Sequence, residues 1–260
     1  VADHDDHRLA VELADAAGAL LLELRQRRHG DGATERQLKD EGDRLSNDLL
    51  LRRLHEERPD DAVLSEEGKG AEGRHGTGRL QADRVWIIDP LDGTREFGEV
   101  PRDDWAVHVA LVEGGQPTAA AVALPAQGRT LSTLDPAPTP PPPPARPRIV
   151  VSRTRPPQVA RYLAARLDGE LVPLGSAGAK AAAVVTGAVD LYPHAGGQFE
   201  WDSCAPVGVA RAAGLWCSRL DLSDLRYNRP DPYLPDLLVA HPALVDDVRA
   251  ALADWDDPGW

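Results

Sequence analysis

Apolar residues recur at helical spacing near the start of the chain. Leu9, Leu13, Ala16, Ala17, Leu20 and Leu24 fall on one face and Gly30 offers a stop, so residues 7–29 are predicted to form an amphipathic helix. A second helix is expected over 43–58, with Leu50 and Leu54 on one face and Pro59 ending it. The pattern then shifts to short continuous runs. AVLSEE at 62–67 and RVWIID at 84–89 read as buried strands that deliver carboxylates at their C-terminal ends. The Gly-rich, polar stretch 68–82 between them is expected to be a mobile loop. WAVHVALVEGGQPTAAAVALP follows as two extended runs around GGQP, an antiparallel hairpin, and RTLSTL is a further strand candidate.

DPAPTPPPPPARPR, 135–148, cannot donate to a sheet ladder and is predicted to be an extended, polyproline-like connector. Beyond it strands and helices alternate: RIVVS, helix 156–167, ELVPL, helix 177–187, AVDLYPH, helix 202–213 stopped by Gly214, LWCSRLD, and helix 242–254. The expectation is a layered α/β architecture of two halves, 1–134 and 149–260, on either side of the connector.

Charge narrows the function classes. With 42 Asp and Glu against 29 Lys and Arg, the net charge of −13 disfavours general nucleic-acid or anionic-membrane binding. Any phosphorylated ligand needs positive charge supplied locally. Two cysteines, Cys204 and Cys217, do not make a disulfide scaffold. The acidic VADHDDHRLA start lacks the basic and apolar regions of a secretory signal, and no apolar run reaches the roughly 20 residues of a spanning helix. A soluble, cytoplasmic protein is expected.

Four acidic clusters lie at predicted element ends: GDRLSND, LSEEG, IIDPLDGT and EWDSCAP. Taken singly, each has an ordinary explanation: Asp43 and Asp202 as helix caps, Asp92–Gly93 as a turn, Glu66 and Glu67 as solvated charges. Asp89-Pro90-Leu91-Asp92 is harder to explain that way, because Pro90 stiffens the backbone and holds two carboxylates near each other. Their repulsion calls for a counter-charge, and Mg²⁺ suits hard oxygen ligands. Zinc does not fit, since no His or Cys stands at ligand spacing among these clusters. Gly93 permits close backbone approach, and the Gly93 and Thr94 amides at a helix start can take a phosphate oxygen. A metal cluster beside such a turn suits phosphoryl transfer.

Asp43, the Glu66–Glu67 pair, DPLDGT at 89–94 and WDSCA at 201–205 stand in the order found in the inositol monophosphatase superfamily, which the chain resembles. The resemblance implies an αβαβα sandwich with two or three Mg²⁺ ions between the halves and inhibition by Li⁺. It implies that Glu66, Asp89, Asp92 and Asp202, with the Leu91 carbonyl, ligate metal, and that Thr94, oriented by Asp43, activates the attacking water. Asp40 and Asp48 compete with Asp43 for that role. Trp201 is read as packing that fixes Asp202. Glu66, Leu91, Gly93, Thr94 and Asp202 would also face the phosphate, and the proline run stands where a Gly-rich hairpin is common.

DPLDGTREF, DDWAVHVAL, GSAGAKA and YNRPDPYLPDLL look most like the bisphosphate nucleotidases that hydrolyse 3′-phosphoadenosine 5′-phosphate, a by-product of sulfate assimilation. Inositol 1-phosphate and fructose 1,6-bisphosphate are the alternative substrates, and a homodimer is compatible with the resemblance. On this reading Arg95 steers a second phosphate and Arg95 to Phe97 govern substrate choice, while Ser176 caps a helix and the backbone of 175–178 faces the nucleoside. Lys180 reads as a solvated lysine on that helix. Arg226, Tyr227 and Asn228 fit either an adenine contact or a surface turn, and His108 and His194 read as structural. Cys204 is a candidate for thiol oxidation at the site. PTPPPPP also fits a ligand for a Pro-binding domain, which makes a non-catalytic interaction protein the second class of hypothesis.

Overall fold

A computed structural model describes residues 1–30, 34–68 and 76–255. Helices α1 (His4–Gly30) and α2 (Glu35–Glu57) precede β1 (Ala62–Ser65) and β2 (Arg84–Asp92). Short helix α3 (Thr94–Gly98) leads into β3 (Ala106–Glu113), β4 (Gln116–Leu124) and β5 (Arg129–Ser132). The rest runs β6 (Arg148–Ser152), α4 (Gln158–Arg166), β7 (Glu170–Leu174), α5 (Ala177–Val185), β8 (Leu191–Phe199), α6 (Glu200–Ala212), β9 (Trp216–Ser218), β10 (Tyr233–Ala240) and α7 (Val245–Ala253).

Two five-stranded sheets form, in the orders β1-β2-β3-β4-β5 and β7-β6-β8-β10-β9. In the first, β1 and β2 are parallel and the remaining pairs antiparallel. In the second, β6 pairs in parallel with β7 and β8, while β10 is antiparallel to β8 and β9. The period of two along each strand sorts its side chains between layers. In β2, Trp86 and Ile88 join Leu13, Leu21 and Leu50 of α1 and α2, whereas Val85 and Ile87 face α5 and α6. Helices α4 and α7 cover the outer face of the second sheet through Leu163, Val248 and Leu252. The layers are therefore αβαβα, with α5 and α6 in the middle. Because the strands of the first sheet are covered on both faces, they read in the sequence as unbroken apolar runs rather than alternations. Each fully buried Leu or Ile stabilises the fold by about 1.5–3 kcal/mol.

Small residues bring the middle layer close. A Cβ on Gly208 of α6 would lie 2.8 Å from the Ala120 Cβ of β4, so this helix rests almost on the sheet. That proximity seats the N-terminus of α6, and Asp202 with it, against the ends of β2 and β3.

Several elements differ from the sequence expectation. Helix α2 starts at Glu35 rather than at 43, because Thr34 and Gln37 form a capping box ahead of it. Asp43 is thus a mid-helix residue, not a cap. Within the stretch expected as a mobile loop, Thr77–Gln81 forms a 3₁₀ turn, and 69–75 lie outside the described residues. Strand β10 went unforeseen because Pro232 and Pro235 break its pattern; its register against β8 shifts between Leu234 and Asp236, where the proline falls. The proline-rich strap is seated on the second half: Thr139 Oγ1 donates to the Ala213 carbonyl at 2.8 Å, and the Pro140 carbonyl meets His241 Nε2 at 3.0 Å.

Candidate active site

Asp89 and Asp92 lie three residues apart, and in a regular strand they would point to opposite faces. The ladder shifts at this point: Asp89 pairs with His108 and Asp92 with Ala106, so three steps of β2 match two of β3. This β-bulge turns both carboxylates toward the middle layer. Pro90, which has no amide to donate, is tolerated there because the bulge leaves its position out of the ladder. Its carbonyl accepts from Ser46 Oγ of α2 at 2.7 Å, and the Leu91 amide donates to Asp89 Oδ1 at 3.0 Å. Asp202, in the first turn of α6, completes a triad in which one oxygen from each of Asp89, Asp92 and Asp202 lies within 4.8 Å of the others.

The three carboxylates are unequal. Burial raises Asp89 well above the usual carboxylate range, and Glu66, Asp92 and Asp202 push it further. Burial and the Asp92 charge raise Asp202 to about 7. Asp92 goes the other way. Burial opposes its charge, but His108, Ser176 and Lys180 outweigh that and hold it well below the usual range. Ser176 Oγ donates to Asp92 Oδ2, as does the Gly178 amide at 2.6 Å, and the Ala177 amide donates to Oδ1 at 3.1 Å. Asp92 therefore sits on the N-terminus of α5, where helical amides favour an anion. His108 Nε2 lies 3.2 Å from Asp92 Oδ2 without the alignment of a hydrogen bond, and its Nδ1 is 3.0 Å from the Trp201 carbonyl. Burial works against a charged His108, yet Asp92 raises its pKa overall.

Asp43 reaches the same place from α2. Thr94 Oγ1 donates toward Asp43 Oδ1 at 3.3 Å and toward the Leu91 carbonyl at 3.0 Å. Burial, Glu67 and Glu66 raise the Asp43 carboxyl to about 7. The rival acids face outward instead, Asp40 beside Arg36 at 3.7 Å and Asp48 beside Arg44 at 3.2 Å. Glu66 and Glu67 open a 3₁₀ turn directly after β1, near enough for their charges to act on Asp43. An all-oxygen set of buried, mutually repelling carboxylates fits a hard divalent cation and does not fit zinc.

Other expected residues divide. Arg95 is exposed on α3, but Glu96 and Phe97 are buried. Glu96 accepts from Arg153 at 2.9 Å, and Phe97 packs edge-on against Trp105, so of REF only Arg95 is exposed. Lys180 is not solvated: its Nζ donates to the Gly175 and Ser176 carbonyls at 3.0 and 2.5 Å and lies 5.4 Å from the Tyr192 ring centroid. Tyr227 is a core residue beside Ser203, and Asn228 is bonded to Arg79, so neither offers a ring or amide to a nucleobase. His194 is half-buried, bonded to the Gly197 carbonyl and lowered to about 4 by burial. Cys204 is fully buried, and burial raises its thiol well above the usual range, which removes the thiolate that oxidation needs.

Sequence reasoning missed Ser46 and Asp104, and His108 only as a neighbour of the triad. For His108 a signal was available. A histidine two residues inside an otherwise apolar strand, paired in register with a DPLD segment, is a buried polar group that needs an acidic partner.

The αβαβα layering gathers acidic side chains that could hold a metal ion where β2 ends and α6 begins. Residues 4–252 match the inositol monophosphatase family, and the chain belongs to that family. It is 53% identical over 250 residues, covering 92% of this chain and 90% of the relative, to the 3′-phosphoadenosine 5′-phosphate phosphatase of Mycobacterium leprae. The protein of the same description from Mycobacterium tuberculosis is 52% identical over 246 residues, covering 92% and 90% of the two chains. Among solved structures, CysQ of Bacteroides thetaiotaomicron, a bacterial member of the inositol monophosphatase family, superposes with a TM-score of 0.77. That match has 24% identity over 92% of this chain and 97% of the other, and shows the shared fold. Among the described residues no helix is long and apolar enough to cross a membrane.

Proposed function

We propose that the chain is a Mg²⁺-dependent phosphomonoesterase that hydrolyses 3′-phosphoadenosine 5′-phosphate to AMP and phosphate. The observation that carries this reading is the convergence of Asp89, Asp92 and Asp202 within 4.8 Å beside the Thr94–Asp43 pair. The choice of substrate rests on the mycobacterial phosphatases, which resemble the chain across nearly its whole length.

On this reading Glu66, Asp89, Asp92, Asp202 and the Leu91 carbonyl hold two or three Mg²⁺ ions. When bound, such ions polarise the phosphate and lower the pKa of water. The residues do the rest. Thr94 spends its hydroxyl hydrogen on Asp43 or the Leu91 carbonyl, 3.3 and 3.0 Å away, which leaves an oxygen lone pair to hold the attacking water. Asp43 accepts the Thr94 hydroxyl hydrogen at 3.3 Å, which orients that hydroxyl, and its carboxylate takes up the water's proton. The water oxygen bonds to phosphorus, the bond to the 3′-oxygen breaks, and that oxygen leaves as the ribose hydroxyl after taking a proton from solvent. The Gly93 and Thr94 amides receive the transferred phosphate, Arg95 steers the second one, and Ser176 sits on the nucleoside side. The same reading divides the chain at the strap 135–148 into an N-terminal half with most ligands and a C-terminal half that completes the site. It also makes the protein a cytoplasmic enzyme that disposes of a by-product of sulfate assimilation.

The test is a panel of the bisphosphate nucleotide, inositol 1-phosphate and fructose 1,6-bisphosphate at matched Mg²⁺. The nucleotide is expected to have the highest kcat/KM, activity to vanish with a chelator, and millimolar Li⁺ to inhibit in competition with Mg²⁺. A wide margin for the inositol ester would overturn the substrate, and indifference to both chelator and Li⁺ would overturn the metal reading. No turnover of any phosphate would favour an interaction role for the proline run.

A further inference from the structure

The turn that receives Asp92 is strained. Ser176, which supplies one of its donors, has φ +39, in the left-handed region that a side-chain-bearing residue enters only at a cost. Such a conformation persists where its surroundings hold it. Two groups do so here. Lys180 takes the carbonyls of Gly175 and Ser176. On the other side, the Gly175 amide donates to Asp104 Oδ2 at 2.6 Å, a contact between residues 71 positions apart. Asp104 is buried and its Oδ2 also accepts from Arg102.

Packing leaves the turn no slack. A Cβ on Gly175 would fall 2.3 Å from Glu96 Cγ, and one on Gly93 would fall 2.8 Å from Ser176 Cβ and 3.4 Å from the Asp104 carbonyl. Residues 93–96, 102–105 and 175–178 thus meet at one junction between the halves, and Asp104 is the carboxylate that joins the last two.

We infer that Asp104 is a positioning residue: by holding the Gly175 amide it keeps the strained 175–178 turn in the conformation that aims Asp92 at the metal cluster. This rests on the reading of the site as a metal-dependent phosphatase. Asp104 touches no reacting atom. Its effect passes through Gly175 and Ser176 to the carboxylate they orient.

The experiment compares Asp104→Ala, Asp104→Asn and wild type by Mg²⁺ titration calorimetry, and by kcat and KM on the bisphosphate nucleotide. Asn keeps an oxygen for the Gly175 amide, whereas Ala removes it. Ala is expected to weaken Mg²⁺ binding and lower kcat by about tenfold each, the scale of one lost charge-assisted hydrogen bond, with KM little changed. Asn is expected to recover both to within about threefold of wild type. If Ala does not fold, Asp104→Ser, too short to reach the amide, takes its place. Equal losses in Ala and Asn, or a lower melting temperature in Ala with wild-type Mg²⁺ affinity and kcat, would overturn the inference. A wild type that binds Mg²⁺ but turns over no phosphate ester would instead sink the functional reading, and the affinity comparison would still decide the role of Asp104.

Discussion

Asp89 and Asp92 are chemically identical, yet their surroundings separate them. Asp92 ionises onto helix amides, a serine and a histidine, whereas Asp89 has its neighbouring carboxylates and one amide from Leu91. Neutralising each therefore has opposite consequences for the ion-free protein. Asp92→Asn is expected to lower its stability by about 1–3 kcal/mol, since three donors lose a charged acceptor. Asp89→Asn removes a repelled charge and is expected to raise the melting temperature. Both are expected to lose turnover by roughly three orders of magnitude. Thermal melts in chelator beside steady-state rates in Mg²⁺ would check the pair; melting shifts of the same sign would mean the environments are misassigned. This asymmetry is invisible in DPLDGT. The sequence shows two acids, but His108 and the 175–178 turn reach Asp92 only through tertiary packing.

Among the elements, α5 holds Asp92 through the donors of its first turn and cap, and that turn tolerates no bulk. A Cβ on Gly178 would lie 2.1 Å from His108 Nε2 and 3.0 Å from Asp92 Oδ2. Gly178→Ala, ordinarily favourable within a helix, is expected to lower both the melting temperature and kcat here, the latter by at least about tenfold. A stabilised variant with unchanged kcat would contradict the packing. Element by element, the long two-sided strands and α1 were legible because burial on both faces or on one stripe leaves a clear apolar signature. The start of α2 was not, since its capping box lies in a polar stretch, and β10 was hidden by Pro232 and Pro235. The acids Asp89, Asp92 and Asp202 that converge were legible through their motifs, whereas the fates of Lys180 and Tyr227 depend on which layer covers them.

Across the whole molecule, the acids gathered between the halves tie stability to pH. Asp43 and Asp202 are raised to about 7 and Asp89 is raised as well, against 3.8 for an ordinary aspartate. Between pH 4 and 7 these three carboxyls hold more protons in the folded protein than in the unfolded chain, so their contribution to stability falls as pH rises through that window, and His194, lowered to about 4, offsets only part of it. Asp92, depressed, adds stability that is lost only at pH values below the window. The ion-free protein is expected to melt at a lower temperature at pH 7.5 than at pH 5, and Mg²⁺ to close most of the gap. Scanning calorimetry with and without chelator would decide, and stability rising with pH in chelator would contradict the charge assignment.

The bulge in β2 bears on how the chain tolerates changes in length. Two aspartates separated by a single residue would already share a face of a regular strand, so losing one codon between Asp89 and Asp92 would keep both carboxylates pointing inward. What such a deletion removes is backbone: the carbonyl of Pro90 that anchors α2 through Ser46, or the carbonyl of Leu91 that anchors Thr94. The fourth position adds a main-chain oxygen that these contacts use, so an in-frame deletion there is expected to do more harm than many substitutions.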